Sequence, residues 1–198
     1  MPARSPVSLV WSKEGRLGWE LALVDRSVGL RASGTAISAD PLPYTLVYEL
    51  ECDADFVTRS LVVSSRGAGW GRSISLIRDA GGWTCRAHKR GAVDLPAPRA
   101  DTSAFHSALD CDLGACPVTN SMPVLRDGLM TGGAREYLMA WISVPDLRVV
   151  PSTQRYEFQR TTDDGAVIRF SSGSFASDVV FDGDGYVIDY PGLAQRIR

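Results

Sequence analysis

The sequence predicts a mainly β protein with few short helices, and three observations carry that expectation. Apolar and polar residues alternate with period two along most of the chain. Clusters of Gly, Asp, Ser and Pro punctuate the alternating segments at hairpin-like intervals. No stretch holds an apolar i, i+3, i+4, i+7 pattern for three turns without Pro or Gly.

Strands are expected in two series. The first covers 8–11, 18–25, 28–37, 44–52, 57–64, 72–78 and 82–86. The second covers 135–144, 147–151, 155–160, 166–171, 178–181 and 186–190. Within 44–52, Tyr44, Leu46, Tyr48 and Leu50 point to one face, and Thr45, Val47 and Glu49 to the other. Asp79-Ala80-Gly81-Gly82 and Asp182-Gly183-Asp184-Gly185 read as hairpin turns, because Gly and Asp tolerate positive φ. One or two helical turns are expected near 101–107 and near 191–197.

The second series repeats the first imperfectly. Tyr48-Glu49-Leu50 answers to Tyr156-Glu157-Phe158, and Ser64-Ser65 to Ser171-Ser172. The stretch from Ser75 to Trp83 answers to that from Val179 to Tyr186. This spacing implies duplication of a whole sheet, giving one domain over 1–198 made of repeats at about 8–93 and 109–198. Chance recurrence of β-hairpin sequence is the alternative.

At 198 residues the chain can bury roughly 70% of its unfolded surface and needs no metal or disulfide to fold. A net charge of −2 leaves no basic excess for phosphate neutralisation, which argues against nucleic acid as a partner. Arg outnumbers Lys by 19 to 2, so single Arg side chains are candidates for holding carboxylate or phosphate groups. No segment is apolar enough for a signal peptide or a membrane span, which makes the cytoplasm the expected compartment. There Cys52, Cys85, Cys111 and Cys116 are expected as thiols. With His88 and His106 as the two histidines, the spacings do not suggest zinc, and no cofactor is indicated.

Most motifs of apparent chemical interest reduce to turns. The run Gly67-Ala68-Gly69-Trp70-Gly71-Arg72-Ser73 lacks the Lys and the following helix of a phosphate loop, and reads as a flexible hairpin loop. Asp182 to Gly185 begins like a calcium loop but lacks its later ligands. No Gly-x-Ser-x-Gly elbow is present, and no catalytic residue is assigned. The stretch from Asp110 to Arg126 is different, since it joins Asp110, Asp112, Thr119, Asn120 and Arg126 with Pro117 and Pro123. It reads either as an ordered crossover loop pinned by its own side chains, or as a polar cluster that orients a ligand head group.

That stretch resembles a bacterial family named for glycolipid binding and formerly a domain of unknown function. The resemblance rests on Asp110 to Gly114, Pro117 to Asn120 and Pro123 to Arg126. It continues through Thr58-Arg59, Pro145-Asp146-Leu147, Gln154 before Tyr156, and Asp184 to Leu193. Asp127 stands where such families often carry a second Arg, and Cys111 and Cys116 are further departures. The resemblance implies a spiral β-roll of two similar curved antiparallel sheets, one per half. It further implies non-enzymatic binding of a small amphipathic ligand, a glycolipid or another acylated molecule being the candidates. Arg59, Asp112, Asn120, Arg126 and Gln154 would then hold the polar head, with Tyr48, Tyr156 and Tyr190 at the margin. Two alternatives stay open: a hydrolase or sugar-modifying enzyme using Asp110 or Asp112, and a protein-interaction module. Ligand identity and oligomeric state are not written in these motifs.

Overall fold

The computed structural model describes residues 5–40 and 42–197. An antiparallel meander comes first: β1 (Val7–Lys13), β2 (Gly18–Asp25), β3 (Leu30–Ser38), β4 (Tyr44–Cys52), β5 (Thr58–Gly67), β6 (Trp70–Asp79) and β7 (Gly82–Arg90). A linking region holds β8 (Arg99–Ala100), a 3-10 turn (Thr102–Phe105), β9 (Asp110–Leu113), a second 3-10 turn (Pro117–Asn120) and the helix α1 (Ser121–Arg126). The second meander comprises β10 (Ala134–Ile142), β11 (Arg148–Thr162), β12 (Gly165–Ser172), β13 (Phe175–Asp182), β14 (Val187–Tyr190) and β15 (Ala194–Ile197).

Among the described residues these strands form one 15-stranded sheet, ordered β7-β6-β5-β4-β3-β2-β1-β15-β14-β13-β12-β11-β10-β9, with β8 beside β11. The fold is therefore mainly β, as the sequence predicts. Where one sheet per half is expected, the two halves instead run continuously through β1 and β15. Their antiparallel register sets Val10 opposite Ile197 and Lys13 opposite Ala194. The Trp11 indole reinforces this seam by donating to the Val187 carbonyl at 2.9 Å.

Alternation fixes which face is buried. In β3 and β4 every second residue is buried, and Tyr44, Leu46, Tyr48 and Leu50 all lie on the buried side. One large apolar cluster spans the first half and the linking region, and a second joins Val124, Tyr156, Phe170, Phe181 and Tyr190. The linking region is tied to the first meander by backbone and side-chain hydrogen bonds. The Thr58 amide donates to the Leu109 carbonyl at 3.1 Å. Both the Trp83 indole and Arg78 donate to the Ala108 carbonyl.

Several local expectations are corrected. Residues 194–197 form β15 instead of a helical turn, because they bridge β1 and β14 at the seam. The expected strands at 147–151 and 155–160 are one strand, β11, since β10 pairs without interruption across the intervening Ser-Thr-Gln. The Gly-rich run closes as a two-residue turn, with Gly67 opposite Trp70 and Gly69 at φ +77°. Residues 110–113 are the buried strand β9, paired in parallel with β10. Beyond it, Pro117 opens the second 3-10 turn and Pro123 lies in the first turn of α1, where a missing amide proton breaks no helical bond. Both 79–82 and 182–185 are turns, as predicted. All four cysteines are free.

Candidate functional site

Pairing of β9 with β10 brings the polar residues of the linking region against β11. Asp112 lies opposite Trp141 on β10, and Tyr137 of β10 lies opposite Gln154 of β11. The outcome is a buried hydrogen-bond chain whose donors all run toward one carboxylate. Asn120 Nδ2 donates to the Tyr156 hydroxyl at 2.8 Å, and that hydroxyl donates to Gln154 Oε1 at 3.2 Å. Gln154 Nε2 in turn donates to Asp112 Oδ2 at 2.7 Å. On the other side the Thr119 hydroxyl donates to Asp112 Oδ1 at 2.9 Å and accepts the Leu113 amide at 3.3 Å. Such chains strengthen one another in a low-dielectric interior. Burial raises the Asp112 pKa, while the Gln154 and Thr119 hydrogen bonds pull it back.

Asp112 is 8% exposed and lines a cleft of about 400 Å³. Asp112, Asn120 and Gln154 form its polar wall, with Ser152 and Ser172 beside them. Trp141, Val150, Phe170, Phe175, Tyr190 and Leu193 form the apolar wall. The rings are held edge to face: Tyr156 to Phe170 at 5.2 Å and Phe170 to Tyr190 at 5.8 Å. Phe175 leans on both Phe170 and Tyr190 and is 47% exposed.

The remaining expected residues lie elsewhere. Arg126 does not line the cleft. Its Nη1 donates to Asp110 Oδ1 at 2.7 Å, and its guanidinium stands 5.3 Å from the Tyr137 ring centroid. Burial raises the Asp110 pKa, and Arg126 opposes that rise. This pair holds β9 to α1, and Asp110 does not line the cleft with Asp112. Arg59 pairs with Asp53 at 2.6 Å on the exposed side of β5. Tyr48 lies in the first half, where its hydroxyl donates to Glu20 Oε1 at 2.7 Å. Thus Asp112, Asn120, Gln154 and Tyr190 meet in the cleft with Tyr156 behind them, while Arg59, Arg126 and Tyr48 do not join them.

Trp141, Phe175 and Cys116 are cleft residues that sequence reasoning missed. Phe175 opens β13 on the same face as the buried Ser177, Val179 and Phe181, and stays exposed because it stands at the strand's start, beyond that core. Trp141 and Cys116 carried no mark in the sequence. Among the described residues, no group of three or more His, Cys, Asp or Glu side chains could hold a metal ion, and no helix is long and apolar enough to cross a membrane.

The site is thus an aromatic cleft on a continuous β-sheet, closed by a buried polar chain, a form that small-molecule pockets commonly take. The chain belongs to the family described as "Putative glycolipid-binding", whose model matches residues 8–196. It is also similar to the crystal structure of a DUF1089 family protein from Pseudomonas aeruginosa, with a TM-score of 0.71 and 28% identity. That match covers 100% of this chain and 96% of the other. No curated protein matches the chain.

Proposed function

We propose that the protein binds, without chemical conversion, an amphipathic molecule whose hydroxyl-bearing head enters the Asp112 cleft and whose apolar part lies along its aromatic wall. A glycolipid or another acylated sugar fits that description. The observation that carries the reading is the direction of the hydrogen-bond chain. Its protein donors are spent within the chain that ends on Asp112, so the polar wall offers the ligand mainly acceptors: spare carboxylate lone pairs and the Asn120 side-chain oxygen. Acceptors suit hydroxyl donors, and a carboxylate so little hydrated disfavours an anionic head. Trp141, Phe175 and Tyr190 supply flat apolar surface of the kind that sugar rings and acyl chains cover. The family's description supports the same class of ligand.

Native mass spectrometry of freshly purified protein, followed by organic extraction, tests this reading. The expected result is a co-purifying amphipath of defined mass that is lost from Asn120→Ala and Trp141→Ala variants. A bare protein mass, together with no uptake of added alkyl glycosides, would contradict it.

A further inference from the structure

We propose a second ligand site, for a phosphate-type oxyanion, on the exposed face where β5, β6 and β7 run together. It shares no lining residue with the Asp112 cleft. A hollow of about 170 Å³ is lined there by Ser64, Arg66, Gly71, Ser73, His88 and Arg90, with Arg72 and Lys89 completing the wall. Strand register builds it. Arg66 lies opposite Gly71 and Gly71 opposite Arg90, while Ser64 lies opposite Ser73 and Ser73 opposite His88. Two rows thus run side by side, one flanked by guanidinium groups and one carrying hydroxyls.

Gly71 is the floor between the two arginines. A Cβ there would sit 3.0 Å from Arg90 Nε and 3.3 Å from its Cγ, so the glycine is what lets Arg90 fold across the row. Arg72 alternates to the opposite face with Ser65 and Lys89, where it is 5% exposed beside the Trp70 ring, so the side-chain charge of the hollow comes from Arg66 and Arg90.

The hollow gathers cationic side chains on neighbouring strands with no carboxylate beside them. Arg31, Arg59, Arg155 and Arg169 all stand on exposed strands, and each pairs with a carboxylate. No acidic residue lines the hollow, and among the described residues neither Arg66 nor Arg90 has an ion-pair partner. Like charges gathered on adjacent strands repel. A net charge of −2 for the whole chain means that this concentration is local. An oxyanion would offset the repulsion, accept forked bonds from Arg66 and Arg90, and take the Ser64 and Ser73 hydroxyls as further donors. The phosphate could be free or part of a lipid head group. The Arg66 row continues through Thr45 and Ile37 to Trp19, of which Ile37 and Trp19 are 51% and 54% exposed. That apolar continuation is what a lipid surface would use.

Calorimetry with inorganic pyrophosphate and flotation with phosphatidylcholine vesicles, with and without phosphatidylglycerol, test the site. Both probes are applied to the wild type, to R66A/R90A and to Arg86→Ala. Arg86 lies opposite Ser75 on the same strand pair but outside the hollow, and removes one positive charge as a control. Pyrophosphate binding that weakens about tenfold or more in R66A/R90A, and stays near wild type in Arg86→Ala, establishes a site for free phosphate. The same pattern seen only with the phosphatidylglycerol vesicles assigns the oxyanion to a lipid head group. Binding of neither probe by the wild type overturns the proposal, as does equal loss in Arg86→Ala.

Discussion

Each half of the chain buries a carboxylate near a tyrosine, and the two arrangements differ in what surrounds them. In the first half Glu20 is 1% exposed and accepts the Tyr48 hydroxyl. Tyr48 reaches it by crossing Gly34 on the strand between, where a Cβ would lie 2.2 Å from the tyrosine ring. Glu20 Oε2 has no hydrogen-bond partner and Lys13 Nζ has none either, so this pocket of polarity is closed and incompletely satisfied. Burial pushes the Glu20 pKa up to about 7. In the second half both Asp112 oxygens accept hydrogen bonds, the neighbouring Tyr156 is satisfied on both sides, and Asp112 lines a cleft. Of these two buried carboxylates, only Asp112 combines a complete network with a cavity beside it, and the proposed site rests on that difference.

The largest way to disturb this contrast is to remove the pair that holds β9 in place. Arg126→Ala leaves Asp110 as a buried, unpaired carboxylate and should cost about 3 kcal/mol or more of unfolding free energy. Urea denaturation measures it, and an unchanged midpoint would mean that the pair does not organise the site.

Next in size is the pH response of the first half. Glu20 binds its proton more tightly folded, at about 7 against an ordinary 4.5, so its contribution is undiminished below about 4.5. As pH rises from there through about 7, folding loses roughly 3 kcal/mol from this group. Glu20→Gln should flatten the stability curve across that window. Parallel curves for the two proteins would sink this assignment.

Smaller again is Asp112→Asn. It replaces a charged acceptor by an amide, disturbing the bonds from Gln154 and Thr119 by about 1.5 kcal/mol. Ligand affinity should fall about tenfold or more while melting stays cooperative. Loss of cooperative melting would make the cluster a pin for the crossover and nothing more. Arg59→Ala should do least, because its pairing with Asp53 is half exposed. A change under about 1 kcal/mol and unaltered ligand binding are expected.

Residue alternation made the meanders legible, since β2 and β4 occur with the predicted bounds and Tyr48 lies on the predicted face. Hairpin turns were equally plain, because Asp182 accepts the Asp184 and Tyr186 amides in the way that Asp-rich turns do. Two kinds of element were hidden. β15 owes its conformation to β1, nearly the whole chain away, and four residues carry no pattern of their own. β9 is buried although Asp110 and Asp112 are half of it, because Arg126 of α1 pairs with one Asp110 oxygen and Gln154 of β11 donates to Asp112. For the same reason the polar half of the cleft was readable from motif residues, whereas Trp141 and Phe175 reach it only through the pairing of β9 with β10 and the turn before β13.

Amide chemical-shift mapping with an alkyl glucoside tests the central claim most directly, because it reads both halves in one experiment. Perturbations concentrated at Gly114, Ala115 and Ser152, the side-chain amides of Asn120 and Gln154, and the Trp141 indole would place the ligand in the Asp112 cleft, and Asp112→Asn should diminish them. Perturbations confined to the exposed face around Trp19, Leu21 and Val47, or none at all at saturating glucoside, would contradict it.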